Sequence, residues 1–544
     1  MPRTTVSRIA FSLVMLTLFA APARAAIKCV NPGGTDGCFA TIQAAINAAG
    51  HLDTIQIAAG TYNEKVSMVP PNNKWLTIQG AGAEKTIVDG SGVGAQRGAV
   101  FEFQVNPVNG PTVTVSDLTI RGGYRGVNAG RFIRLILRNV VVRDNGPGSG
   151  AGVFTNASMV TIINSTIRNN TADDAFFGCD GSGGTGGGIG SLCGGGSYIV
   201  INSAIINNWA RAGGGAVFVN GEQTFINSTF SGNTALDIGA AMMSFADNTF
   251  ISNSTIANNT ARPAGGALAM FSARNELKAN VLAGNTGDNC LLAEPLDSLG
   301  YNVSSDASCA LTAAGDLLNT SAVLGPLQDN GGPTPTHALA PGPGLDHVPS
   351  SICPAPATDQ RGVERAQRTA CDSGAFEATD ETPPVISVPG GITVNATTPG
   401  GTGVSFTASA ADAFDGDVAV SCAPASGSTF PVGDTSVTCT ASDGAGNTAS
   451  ASFVVHVAGA GEQLSALLDL VSSVHSSDDL QALVVTAQAA LLKDKPWRAC
   501  DALAILEQRV ERRAKKKAGE TQIDAATAAA ISAAIAEVRG ALGC

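Results

Sequence analysis

The chain has 544 residues, a net charge of −12 and only 14% charged residues, with 65 glycines and 5% aromatics. An acidic chain without a basic stripe is a poor partner for nucleic acid. Glycine and asparagine in place of charge suit tight turns between short strands.

The first 25 residues carry Arg3 and Arg8, an apolar stretch from Ile9 to Ala20, and Ala23-Arg24-Ala25 as a small-residue cleavage site. They read as a secretory signal peptide cleaved after Ala25, so the protein is expected to be secreted or at the extracellular surface. No later stretch offers the roughly 18 uncharged apolar residues of a membrane span. Twelve cysteines behind such a segment imply disulfides, and sequence-adjacent pairing is the economical arrangement. The pairs are Cys29 with Cys38, Cys179 with Cys193, Cys290 with Cys309, Cys353 with Cys371, Cys422 with Cys439 and Cys500 with Cys544.

Residues 26–65 begin with Ile42, Ala45, Ile46 and Ala49 at helical spacing; Ile55 and Ile57 then alternate as a strand before the turn Gly60-Thr61-Tyr62. This segment resembles the N-terminal cap of right-handed parallel β-helix proteins of the pectin-lyase-like superfamily. An open solenoid end exposes unpaired edges and apolar core, so a cap has a physical task.

From residue 66 to 325 the chain repeats. Asn139, Asn164, Asn202, Asn227, Asn253 and Asn280 each follow an apolar run at steps of 25 to 27, with one step of 38, and Asn145, Asn170, Asn208, Asn233, Asn259 and Asn285 follow the same beat. One apolar run per period in the twenties indicates a solenoid whose repeats bury their apolar faces against neighbours. Ile162, Val200, Phe225 and Ile251 should stack inside the coil, as should Ile167, Ile205, Phe230 and Ile256. Asn tolerates the left-handed conformation and can bond its copy one rung away, so the series reads as a ladder rather than as glycosylation at Asn164, Asn227 and Asn253. Phe218, Phe245 and Phe271 suggest an internal aromatic column. Ten to twelve rungs at about 4.8 Å each make a rod roughly 50 to 60 Å long. The long step is an insertion at residues 171–197, bracketed by Cys179 and Cys193, and insertions in solenoids map to a loop that often carries specificity.

Residues 326–380 include Thr358-Asp-Gln-Arg-Gly-Val-Glu-Arg365 and Ala370-Cys-Asp-Ser-Gly-Ala-Phe-Glu377. With Gly325-Pro-Leu-Gln-Asp-Asn-Gly-Gly-Pro-Thr-Pro-Thr-His337 before them, these resemble the C-terminal portion of the secreted β-helix family called choice-of-anchor Q. The resemblance implies a segment that ends the solenoid and covers its last rung. After Pro383 and Pro384, residues 381–458 alternate as short strands in the manner of a β-sandwich. Ala411-Asp-Ala-Phe-Asp-Gly-Asp-Val418 and Gly427-Ser-Thr-Phe-Pro-Val-Gly-Asp-Thr-Ser-Val-Thr-Cys439 resemble a hyalin repeat (HYR), an immunoglobulin-like module, which implies extracellular contact. Residues 459–544 are helical: Leu464, Leu467, Leu468 and Val471, then Leu480, Leu483 and Val484, make apolar stripes, Pro496 starts a helix, and Thr521 with Asp524 forms a capping box. They resemble the small FIMAH helical modules. The expected fold class is therefore mainly β: a right-handed parallel β-helix, an immunoglobulin-like sandwich and a small α-helical bundle.

Candidate chemistry is sparse. Pectin hydrolases of this fold use Asn-Thr-Asp, an Asp pair, Gly-His-Gly and Arg-Ile-Lys in order; here Asp173-Asp174 is present, Gly50-His51 lies upstream in the cap, and Arg-Ile-Lys is missing. Lyases need an Arg or Lys base with carboxylates that hold calcium. Arg143 and Arg168 fall in adjacent rungs near turns, without Asp residues at the same register. Those two arginines and the Asp pair are the catalytic candidates, each also explained as solvated surface. Asp412, Asp415, Asp417 and Asp443 are calcium candidates at a sandwich tip, with Asp-Gly turns as the plainer reading. Arg509, Arg512, Arg513 and Lys515 to Lys517 form the one basic run and read as a solvated helix end. No other cofactor is expected. The sequence reads as an adhesion protein with an extracellular glycan or cell-surface partner; the alternative is a polysaccharide lyase or hydrolase acting on an acidic glycan.

Overall fold

The computed structural model describes residues 25–69, 74–92, 98–104, 110–174, 185–191, 195–246, 248–271, 274–353, 357–368, 370–516 and 522–544. Residues 1–24, where a signal segment is expected, and Cys179, Cys193, Lys517 and Thr521 lie outside them. The chain forms two compact units, Met1–Ala378 and Thr379–Cys544.

The first unit is a parallel β-solenoid. Its turns supply three sheets, of eleven, ten and nine strands among the described residues. Apolar residues at alternate strand positions point inward and stack in register: Ile162, Val200, Phe225 and Ile251 in the first sheet, and Ile167, Ile205, Phe230 and Ile256 in the second. All eight are buried, and each contributes about 1.5 to 3 kcal/mol by leaving water. The N-terminal end is closed by the helix Ile42–Ala48, which buries Ile42, Ala45 and Ile46. The Thr41 hydroxyl accepts from the Ala44 amide, and the Glu64 carboxylate from those of Ile42 and Gln43, so the helix start keeps few orphan donors.

The two Asn series divide the labour. Asn139, Asn164, Asn202, Asn227 and Asn253 take left-handed backbone angles of φ 47 to 52°, and in the next rung Ala279 holds that position. Asn280 belongs one residue later: its Oδ1 accepts from the Ser254 amide, continuing a column in which the Ser165, Ser203, Ser228 and Ser254 hydroxyls accept from the rung before. The continuous amide ladder is the second series. From Asn145 to Asn285 each Nδ2 donates to the Oδ1 of the next Asn at 2.9 to 3.1 Å. Asn227 and Asn253 are fully buried, so neither is open to glycosylation in the folded chain.

The aromatic column departs from expectation. Phe218 sits at the centre of Val217–Val219 and pairs in register with Met243, while Phe245 and Phe271 follow their strands. All three belong outside the coil: Phe245 is 41% exposed and stacks on Phe271 at 4.9 Å. The central residue of a strand whose neighbours Val217 and Val219 point inward must point out.

Residues 324–377 also differ from expectation. They do not merely cover the last rung; they run as a strap along the outer face of the second sheet. Thr334 Oγ1 donates to the Asn202 carbonyl, Asn227 Nδ2 to the Thr358 carbonyl, and Arg365 Nη2 to Asn227 Oδ1. Thr229 Oγ1 donates to Gln360, Ser231 meets His337 Nε2 at 2.8 Å, and the Ala375 and Gly374 amides donate to Thr255 Oγ1 and the Ala279 carbonyl. The reason is local: outward positions here are Thr, Ser and Ala, small enough for a second backbone to approach and able to satisfy its polar groups. Gly374, at φ +94°, sits so close that a Cβ would lie 2.9 Å from Thr255 Oγ1.

In the second unit, Ile392–Asn395, Thr448–Ala458, Gly433–Ser442 and Val420–Ala423 form one sheet, and Val385–Ser387, Ser409–Asp412 and Gly416–Val418 another. Val404, Phe430, Val437, Cys439, Phe453, Val455 and Val457 fill the sandwich core. Four helices follow, Ala460–Ser472, Asp478–Leu491, Pro496–Ala514 and Ala525–Leu542. The last begins at Asp524, whose carboxylate accepts from the Thr527 amide, three residues later than the Thr521 cap expected from sequence. By length and hydropathy this helix could cross a membrane; here Ile531, Ile535 and Val538 are buried in the bundle and Arg539 pairs with Glu507. In the basic run, Arg509 and Arg513 both pair with Asp479. Disulfides join Cys29 to Cys38, Cys290 to Cys309, Cys353 to Cys371, Cys422 to Cys439 and Cys500 to Cys544.

Candidate functional site

The four residues singled out on the solenoid do not converge on one site. Arg143 and Arg168 pair in register on the second sheet, as their spacing implies, but the column extends back through Arg121 to Asp89. An Asp therefore does stand in this register: Arg121 Nε donates to Asp89 Oδ2 at 2.8 Å. Burial works against the Asp89 charge, yet hydrogen bonds from Ser91 and the Arg121 guanidinium hold its carboxyl below the ordinary value. Arg143 pairs with its neighbour Asp144, Asp173 with Arg211, and Asp174 accepts from the Tyr124 hydroxyl. Arg143, Asp173 and Asp174 are thus each engaged in an ion pair or hydrogen bond of the scaffold.

A different set of side chains lines a cleft of about 460 Å³ on the outer face of the third sheet: Lys65, Ser67, Glu102, Gln104, Arg125 and Asn128. Strands Val66–Met68, Ala99–Phe103 and Arg125–Ala129 place Ser67, Glu102 and Asn128 side by side, and Phe154 continues the row. Strand alternation explains why polar groups at these positions face outward while Phe101, Phe103 and Val127 fill the core. Glu102 Oε1 accepts from Gln104 Nε2 and from Asn128 Nδ2, both at 2.7 Å. Asn128 Oδ1 is buried with no hydrogen-bond partner.

Arg125 anchors the far wall. Its Nε donates to the Ser149 carbonyl at 2.7 Å and its guanidinium lies 4.1 Å from the Phe154 ring, a cation–π contact. Burial pulls its pKa below the usual arginine value, against the charges of Tyr124, Glu102 and Asp174. The cleft thus offers cationic and amide donors and one carboxylate, while the Asn128 amide oxygen is sealed from its surface. That set matches a hydroxyl-rich ligand. Two carboxylates flanking one bond, the requirement of glycoside hydrolysis, are not found among the described lining residues. Sequence reading passed over these residues because their rungs precede the first Asn of the regular series. The legible signal was a charge within an apolar strand, as at Glu102 in Ala99–Phe103.

On the sandwich, two of the four Asp candidates meet. Asp415 and Asp443 lie together with Asp380, which the sequence had placed at the end of the solenoid segment. Asp412 instead accepts from the Phe414 and Asp415 amides, and Asp417 is in a strand opposite Ala411. An open groove of about 510 Å³ runs between Phe406–Ala408 and Val420–Cys422.

No curated protein matches the chain. Among solved structures it is similar to pectate lyase Pel9A, at 16% identity over 65% of this chain and 96% of that one, with a TM-score of 0.33. It is similar also to the pectin methylesterase PemA of Erwinia chrysanthemi, at 11% identity over 50% and 92% with a TM-score of 0.28, and to Escherichia coli YbhC, at 14% over 46% and 75% with a TM-score of 0.26. Residues 379–457, the sandwich that carries Asp380, Asp415 and Asp443, match the family described as HYR domain.

Proposed function

We propose that the protein is an extracellular binding protein, exported by residues 1–25, in which the solenoid presents the Glu102–Arg125–Asn128 cleft to a glycan and the sandwich makes surface contacts. The observation that carries this reading is the HYR match over residues 379–457; five disulfides agree with an oxidising compartment. Within it, residues 326–380 are the choice-of-anchor Q-type end of the rod and residues 459–544 a FIMAH-like module. A glycan array and a panel of immobilised matrix components, probed with the chain lacking residues 1–25, test it. Saturable binding with the glycan recovered intact is the expected result; absence of binding to every surface defeats it.

A second reading is favoured by one feature. Arg125 lines the cleft together with the Glu102 carboxylate, and an arginine or lysine in such a place is the residue type that a lyase uses to take a sugar proton. Release of unsaturated oligosaccharides from a polyuronate, abolished by Arg125→Lys, would establish that reading in place of simple adhesion.

A further inference from the structure

We propose that Asp380, Asp415 and Asp443 hold a divalent cation of the calcium class, which fastens the first residues of the sandwich to two of its turns. Each carboxylate brings one oxygen to within 4.8 Å of the others. Among the described residues none of the three forms an ion pair. Asp380 is followed closely by Pro383 and Pro384 at the start of the unit, Asp415 lies in the turn between Ser409–Asp412 and Gly416–Val418, and Asp443 in the turn between the two longest strands.

The local hydrogen bonds occupy one side of each group. Asp380 Oδ1 accepts from the Thr382 amide and hydroxyl, Asp443 Oδ1 from the Asn447 amide, and Asp415 Oδ2 from the Gly444 amide. Asn447 Nδ2 donates to the Asp380 carbonyl, so the three segments are interlocked. The independent observation is what remains. Asp380 and Asp443 are each only 9% exposed, and the Oδ2 atom of each is sealed from solvent without any hydrogen-bond partner.

A buried carboxylate oxygen without a donor is costly, and two of them beside a third carboxylate repel as well. A cation seated among them removes both penalties. The donors are all hard oxygens on turns, with neither His nor Cys in the group, which suits calcium over zinc, and the adaptable geometry suits it over magnesium.

The test uses the full chain after EDTA treatment and dialysis. Titration with CaCl₂ is expected to reveal one site with Kd on the order of 10⁻⁴ to 10⁻³ M, the range of extracellular modules, and CaCl₂ is expected to raise the unfolding temperature relative to EDTA. Asp443→Asn and Asp415→Asn should each weaken binding about tenfold or more, while Asp417→Asn binds as the parent does. In EDTA, Asp443→Asn should unfold no lower than the parent, because a buried charge is gone, whereas a purely structural Asp would lose stability in both conditions. Should Asp443→Asn fail to fold, the exposed Asp415 carries the comparison. No calcium-dependent shift, an unchanged shift in Asp415→Asn, or an equal response to MgCl₂ would overturn the assignment.

Discussion

Asp372 donates its backbone amide to Glu377 Oε2 at 2.9 Å, and both carboxyls are buried within the strap beside Arg365. Burial, reinforced by the Glu377 charge, pushes the Asp372 carboxyl up to about 7; burial also raises Glu377. A carboxyl whose folded value exceeds its unfolded one near 4 binds its proton more tightly in the folded state. Its stabilisation is complete below about pH 4 and is lost as pH rises through 7. Hydrogen exchange at the Ala378 and Asp346 amides, which donate to Asp372, should therefore be slower at pH 5 than at pH 8 after correction for intrinsic rates. Equal protection at both would disprove the shift.

Arg365 sets how firmly the strap is held. It bonds Asn227, the Gly374 and Asp372 carbonyls and Glu377, all within the buried network. Removing one partner of a buried ion pair costs about 3 to 5 kcal/mol because the other charge stays behind. In Arg365→Ala, limited proteolysis should cut within residues 324–377 while the β-sheet circular dichroism of the coil persists.

The amide ladder is a second point of sensitivity. Asn208 accepts from the Asn170 amide and side chain and donates to Asn233 Oδ1 and the Ile167 carbonyl. Asn208→Leu leaves several buried groups unpaired, at about 1 to 3 kcal/mol each, and should lower the urea midpoint markedly. An unchanged midpoint would mean that the ladder is ornamental.

Two phenylalanines separate the inside of the coil from its outside. Phe225→Ala opens the core and should cost about 3 to 5 kcal/mol, whereas Phe245→Ala, at an exposed ring, should cost under about 1 kcal/mol. Equal losses in denaturant titrations would contradict the outward placement of Phe245.

In the cleft, Asn128→Leu removes the amide that holds the Glu102 carboxylate in place without touching the core. Glycan binding should weaken about tenfold, equivalent to about 1.4 kcal/mol, with the unfolding temperature nearly unchanged. Retained affinity would place the ligand elsewhere.

The parts legible in sequence are those that repeat. The Ile162 and Ile167 columns were readable because a fixed step brings equivalent residues into register. Asn280 was misread by one position because Ala279, not an Asn, takes the left-handed turn there. Phe245 was misread for a related reason: its spacing from Phe218 fits the period, but strand pairing matches Phe218 with Met243. The strap left no periodic trace, since Asn227 and Arg365 are 138 residues apart. Asp380 was missed because a cluster drawn from three separate segments has no spacing to recognise.

The strap also acts as a ruler. It is keyed to Asn202, Asn227, Thr229, Thr255 and Ala279 on successive rungs, so an extra turn inserted among those rungs would put the keys out of step. Length added before them leaves the keys aligned. The one long step in the ladder, 38 residues from Asn170 to Asn208, opens just ahead of the first key, where the coil is free to vary without being measured.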